Sequence, residues 1–191
     1  MHASLRGGST ISENGANLGN PGHPDGFCRV SGTARPGPLQ SIGEEDWQSA
    51  ITANLSATYL TLKAFIPAML AAGRGSIITM SSSAARQPTR EAPLSCSAAK
   101  AGIIQLTKQV AQEAASRQVR LNCVAPSTIL TERIAHYMDA DQQQAVAATH
   151  PLGRLGRPAD VALATLFLAS DASSWLTGTT LDIAGGKTML Y

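Results

Sequence analysis

The order in which strand-like and helix-like stretches follow one another constrains this chain most. SIITMS, residues 76–81, is a short apolar run rich in β-branched residues, and it reads as a buried strand. VRLNCVAP, residues 119–126, is a second strand closed by Pro126, and TTLDIAG, residues 179–185, is a third. Helices separate them. One runs from about Leu94 to Ser116, behind a loop holding Pro88 and Pro93. Another, PADVALATLFLAS, carries Pro158 in its first turn, where a missing N–H does no harm. Buried strands alternating with helices predict an α/β fold, a parallel sheet with helices on both faces. Three strands make a small sheet for such a fold, which hints that strands are missing in front.

Ahead of the first strand, EEDWQSAITANLSATYLTLKAFIPAML places Trp47, Ile51, Leu55, Tyr59, Leu62, Ile66 and Met69 on one stripe at spacings of three and four. A helix over 44–72 is expected, with Glu44, Glu45 and Asp46 at its positive end and a kink at Pro67. Gly73 and Gly75 stop it. Residues 131–150 read as short helices in a mobile segment. Residues 1–40 hold 8 of the 17 glycines and 4 of the 10 prolines, and no periodic pattern survives that punctuation. They are expected to be irregular or disordered, with one partial domain over 41–191.

Composition excludes several classes. A net charge of +2 with scattered basic residues gives no stripe for nucleic acid. Cys28, Cys96 and Cys123 are odd in number and widely spaced, so neither a metal site nor a disulfide framework is expected, and a reducing, cytoplasmic setting is. No apolar segment marks the amino terminus as a secretory signal, and no run is expected to span a membrane.

Three short motifs fail their context. GANLGNPG, residues 15–22, approaches a dinucleotide fingerprint but lacks the strand before it and the helix after it. GGKT, residues 185–188, would need an earlier glycine where Leu181 stands. SAAK, residues 97–100, matches S-x-x-K without its companion motifs.

A larger constellation carries more. SSS at 81–83 follows the first strand, SCSAAKAG lies on a helix, Asn54 sits in ITANLSATYL, VAPSTILT follows the second strand, and RPADVALATLFLASDASSWLTGTTLDIAGG closes the chain. From about Pro36 to Gly186 these segments together resemble the short-chain dehydrogenase/reductase family. The resemblance implies a partial Rossmann-like, doubly wound sheet made of the family's last three strands. It implies NAD(P)-linked hydride transfer between a nicotinamide cofactor and a small carbonyl or alcohol. Carried over, the family's serine is Ser83, its lysine Lys100 and its asparagine Asn54. The tyrosine position, thirteen residues after Ser83 and four before Lys100, is Cys96. In the family the serine bonds the carbonyl oxygen, and the tyrosine supplies the proton. The lysine lowers the tyrosine's pKa and holds the nicotinamide ribose, and the asparagine anchors a relaying water. Pro126, Ile129 and Thr131 match the P-G-x-x-x-T loop over the nicotinamide, with Ser127 in the glycine position.

Two departures follow. The strand–helix units that bind adenosine and pyrophosphate are absent or replaced, which leaves the strand at 76–81 as an apolar edge and predicts a marginal monomer unless oligomerisation covers it. Cys96 is short for the tyrosine's task, and Lys100 would favour its thiolate, which cannot donate a proton. As a nucleophile it would need His136 or His150. The simplest reading is loss of the tyrosine. Three outcomes stay open: an impaired oxidoreductase, a non-catalytic protein that dimerises through helices 44–72 and 95–116, and a fragment without a role.

Overall fold

The computed structural model of the chain describes residues 36–89 and 92–189. The irregular segment expected over 1–40 lies, up to residue 35, outside the described residues.

Three parallel strands form one sheet in the order β1-β2-β3: β1 is Gly75–Met80, β2 Val119–Pro126 and β3 Thr180–Ile183. Gly75 pairs with Val119 and Met80 with Val124, while Cys123 pairs with Thr180 and Pro126 with Ile183. Side chains alternate across the sheet. Ile77 and Leu121 point to one face, where they pack with Leu62 and Met69 of helix α2 (Ala57–Ala72) and with Ala111 and Ala114 of α3 (Leu94–Ala114). Ile78 and Val124 point to the other, against Leu168 of α6 (Pro158–Ala169). Helices therefore cover both faces, as a doubly wound sheet requires. Among the described residues β1 stands at the sheet's edge.

The first long helix departs from the expected stripe. It begins as α1 (Glu44–Ile51), passes through a π turn at Thr52–Ser56 and continues as α2. The residues it buries are Ala50, Asn54, Thr58, Leu62 and Met69, while Trp47 is 38% exposed and Tyr59 48%. The expected stripe holds at Leu62 and Met69, with Leu55 and Ile66 packed against the core, while around the π turn, which takes up an extra residue, the buried positions fall one residue earlier at Ala50, Asn54 and Thr58. The small residues thus turned inward let the helix approach α3 closely. A Cβ on Gly102 of α3 would lie 2.8 Å from Leu55 Cδ2. The helix runs unbroken past Pro67, whose position is exposed. The expectation that no run could span a membrane also needs correction. By length and composition alone Glu44–Ala72 qualifies.

The segment expected to be loosely helical contains α4 (Glu132–Tyr137) and α5 (Ala140–Ala148). Helix α5 opens on a capping box between Asp139 and Gln142, and His150 just beyond it is 3% exposed.

Candidate active site

The carboxyl ends of all three strands open on one edge of the sheet, the place where open parallel sheets bind ligands. Ser81 fixes the end of β1. Its N–H donates to Val124 O at 2.8 Å and its Oγ to Lys100 O at 2.8 Å, joining β2 and α3 at one residue. The chain then turns through a 3₁₀ turn at Ser83–Ala85, capped by the Ser82 hydroxyl, which accepts from the Ala84 N–H at 3.2 Å. Ser83 is half-buried there, and its carbonyl accepts from the Arg86 N–H at 3.0 Å.

Helix α3 brings Cys96 and Lys100 together, because residues four apart share a helix face. Both are buried, at 3% and 6% exposure. Lys100 Nζ donates to Met80 O at 3.2 Å, so the ammonium sits at the end of β1. Burial lowers the Lys100 pKa to about 8, with the Cys123 thiol below it acting in the opposite sense. Burial in turn pushes the Cys123 thiol up, against hydrogen bonds from Thr79 and Ser81 and the charges of Lys100 and Arg86. Cys96 is disulfide-bonded, contrary to the expected chain without cross-links.

Asn54 lies in the π turn and is buried. Its side-chain amide donates to Ala50 O at 2.9 Å, the carbonyl that a regular turn assigns to its own N–H. The wide turn and the asparagine thus support each other. Thr58 closes the next turn, its hydroxyl donating to Asn54 O at 2.8 Å.

The loop after β2 holds the remaining expected residues. Pro126 ends the strand, Ile129 is 9% exposed and forms a parallel bridge to Gly156, and Thr131 caps α4 by accepting the Ile134 N–H at 3.3 Å. A capping oxygen leaves its hydroxyl proton available, so Thr131 can still donate. Ser127 adopts an ordinary backbone conformation, since Gln118 is the one non-glycine residue with positive φ among those described. Glycine is therefore not needed there for its backbone freedom.

The two histidines weighed as bases for Cys96 are otherwise engaged. His136 is exposed and packs edge-on to Tyr137 at 5.7 Å. His150 is buried and bonds Ser127 and Val146. The sequence reading also missed a strap across the site. Arg86 reaches over β2 to make a bidentate pair with Asp182 on β3, Nε to Oδ1 at 3.1 Å and Nη2 to Oδ2 at 3.2 Å. Gln87 Nε2 donates to Lys187 O at 3.1 Å. No periodicity or spacing announces a pair ninety-six residues apart.

A family profile described as enoyl-(acyl carrier protein) reductase matches residues 15–188. The chain belongs to the short-chain dehydrogenase/reductase family. The match begins earlier than Pro36, where the resemblance could first be read from the residues. The chain is 41% identical over 158 residues to the 3-oxoacyl-(acyl-carrier-protein) reductase FabG of Chlamydia pneumoniae, covering 83% of this chain and 63% of the relative. It is 36% identical over 168 residues to D-threitol dehydrogenase of Mycolicibacterium smegmatis, covering 88% and 64%. The chain thus spans less than two thirds of the length of these relatives. Among solved structures, a 3-oxoacyl-(acyl-carrier protein) reductase from Brucella melitensis with bound NAD superposes with a TM-score of 0.74 at 32% identity, covering 82% of this chain and 57% of that one. The structure of ElxO with NADP bound superposes at 0.77 with 28% identity, covering 83% and 64%. Members of the family therefore bind NAD or NADP and act as oxidoreductases.

Proposed function

We propose that this chain is part of an NAD(P)-dependent carbonyl or alcohol oxidoreductase, with residues 41–191 as its partial domain, Cys96 in the position of the proton-donating tyrosine, and little turnover as it stands. The observation that carries the reading is Lys100. It is a lysine one turn beyond Cys96, buried, with its ammonium held at the carboxyl end of β1. Burying a lysine is costly, and a fold keeps one where the charge has work to do.

The donor set fits the nicotinamide end of such a cofactor. Lys100 spends one of its three N–H bonds on Met80 O and has two left for ribose hydroxyls. Thr131 has a hydroxyl proton to offer a carboxamide. A bound nicotinamide supplies the hydride. The chain's own residues then have separate tasks. Ser83 donates a hydrogen bond to the oxygen on which charge develops. Asn54 is fixed in its wide turn, where the family's asparagine would anchor a relaying water. Cys96 offers no phenol, and in disulfide form it offers no proton at all, so the step that neutralises the oxygen lacks its acid.

Fluorescence titration with NADH and NADPH under reducing conditions tests this reading. Saturable binding is expected, together with a gain in ketone reduction on Cys96→Tyr. A folded parent and a folded variant that both fail to bind would overturn it.

One observation favours a second reading, an oligomer-forming role. Tyr59, Leu60 and Phe65 are 48%, 54% and 49% exposed along α2. A second copy packed through helices 44–72 and 95–116 would cover that face and would keep it from any membrane. Light scattering decides between a defined dimer and a monomer. A cytoplasmic setting is part of the proposal. In such a setting the Cys96 disulfide is expected to be reduced, so thiol titration of protein taken from reducing conditions checks it.

A further inference from the structure

Ser127 and His150 stand at the two ends of the excursion that carries α4 and α5, and they are joined. His150 Nε2 lies 2.9 Å from Ser127 Oγ, and His150 Nδ1 lies 2.9 Å from Val146 O. A carbonyl only accepts, so Nδ1 carries the proton. Nε2 then presents its lone pair, and the Ser127 hydroxyl donates to it. Thr149 Oγ1, 3.3 Å from Nδ1, shares that N–H while donating its own proton to Val146 O at 2.8 Å. The imidazole is 3% exposed, and a Cβ on Gly185 would sit 3.6 Å from its Cδ2, so the turn after β3 closes over the ring.

The bond has a place in the loop's architecture. The Ser127 N–H already donates to Ile183 O at 3.1 Å, which aligns the start of the loop with β3. Backbone bonds from Leu130 to Gly156 at 2.8 Å and from Gly156 to Thr128 at 3.0 Å hold its other side. Ser127 is thus the one loop residue tied by its side chain to the far end of the excursion, among the described residues. A glycine here, as in the P-G-x-x-x-T pattern, has no side chain with which to make this tie. Serine and buried histidine make sense only together. Either alone leaves a polar group unpaired against the interior.

We propose that His150, acting through Ser127, is a positioning residue for the loop 127–131, holding Ile129 and Thr131 in place to receive a nicotinamide. The inference rests on the cofactor reading above for its ligand, but the tie itself is independent of it. The test compares the parent with Ser127→Ala, His150→Phe, the double variant and Ser127→Thr. It reads hydrogen exchange by mass spectrometry and NADPH binding by fluorescence. Each single loss should speed exchange in 127–149 about tenfold and weaken NADPH by a similar factor, with β2 amides unchanged. The double variant should be no worse than either single one, and Ser127→Thr, which keeps the hydroxyl, should match the parent. Multiplying effects in the double variant, or exchange rising equally in β2, would overturn the proposal. Ser127→Ala and Ser127→Thr leave the buried ring in place and keep the test decisive if His150→Phe fails to fold. If the parent binds no NADPH, the cofactor reading falls, while the exchange pattern alone still judges the tie.

Discussion

Lys100→Met should make the protein more stable at neutral pH. The folded state holds the Lys100 proton only up to about pH 8, against 10.5 for the free side chain. At ~1.4 kcal/mol per pH unit, that difference penalises the charged, buried form by about 3 kcal/mol. The unfolded chain binds the proton more tightly, so stability of the parent rises with pH between about 8 and 10.5 and is depressed in full below that window. Methionine fills similar volume without the charge but leaves Met80 O without its donor, which costs about 1 kcal/mol. The variant should therefore be more stable by about 2 kcal/mol at pH 7 and slightly less stable than the parent near pH 10.5. With a urea slope of about 2 kcal/mol/M, the midpoint at pH 7 should rise by roughly 1 M. Both proteins are compared with Cys123→Ala in place, because the Lys100 charge acts on that thiol and its titration would otherwise enter the comparison. A stability difference that stays the same at pH 7 and pH 10, or a variant weaker at both, would refute the reasoning.

Other outcomes follow from single contacts. Gly102→Val should cost about 2 kcal/mol, because a Cβ there already meets Leu55 and the π turn beside it cannot retreat without losing Asn54; thermal unfolding checks it. Asp182→Asn should weaken the strap to Arg86 and cost about 1 kcal/mol, with exchange quickening in residues 83–87; an unchanged melting curve and exchange pattern would show the pair to be idle. Leu60→Lys with Phe65→Glu should leave the fold intact by circular dichroism and shift a dimer to monomer by light scattering. If the parent is already a monomer, it should bind a hydrophobic dye and unfold with a broad urea transition, as a bared helix face and strand edge imply.

The parallel sheet and its two covering layers were legible because period and order carry that information. Ile77, Ile78, Leu121 and Val124 are buried as the apolar runs require. That Cys96 and Lys100 are both turned inward on α3 was legible for a similar reason, since helical geometry makes a four-residue step a shared face. The stripe on the first helix held at Leu62, Ile66 and Met69 and was displaced by one residue only around the π turn at 52–56, which breaks the period. Arg86 with Asp182, and Ser127 with His150, were invisible because each joins segments that meet only once the sheet has formed. Cys96 was read as a residue in place of another, and nothing local in SCSAAK reveals a disulfide.

The pairing of the strands also dictates a folding history. Gly75 finds Val119, and Cys123 finds Thr180, across intervals that no hairpin bridges. Nothing in the sheet can nucleate locally, so the helices must form and dock before any strand gains a neighbour, and assembly should be slow for a chain of this size. β3 follows β2 only after the segment that carries α4, α5 and α6. During synthesis, then, the central strand β2 waits with one flank bare until the residues of β3 have followed it out of the ribosome. That interval is when a chaperone, or a neighbouring nascent chain, has its opportunity.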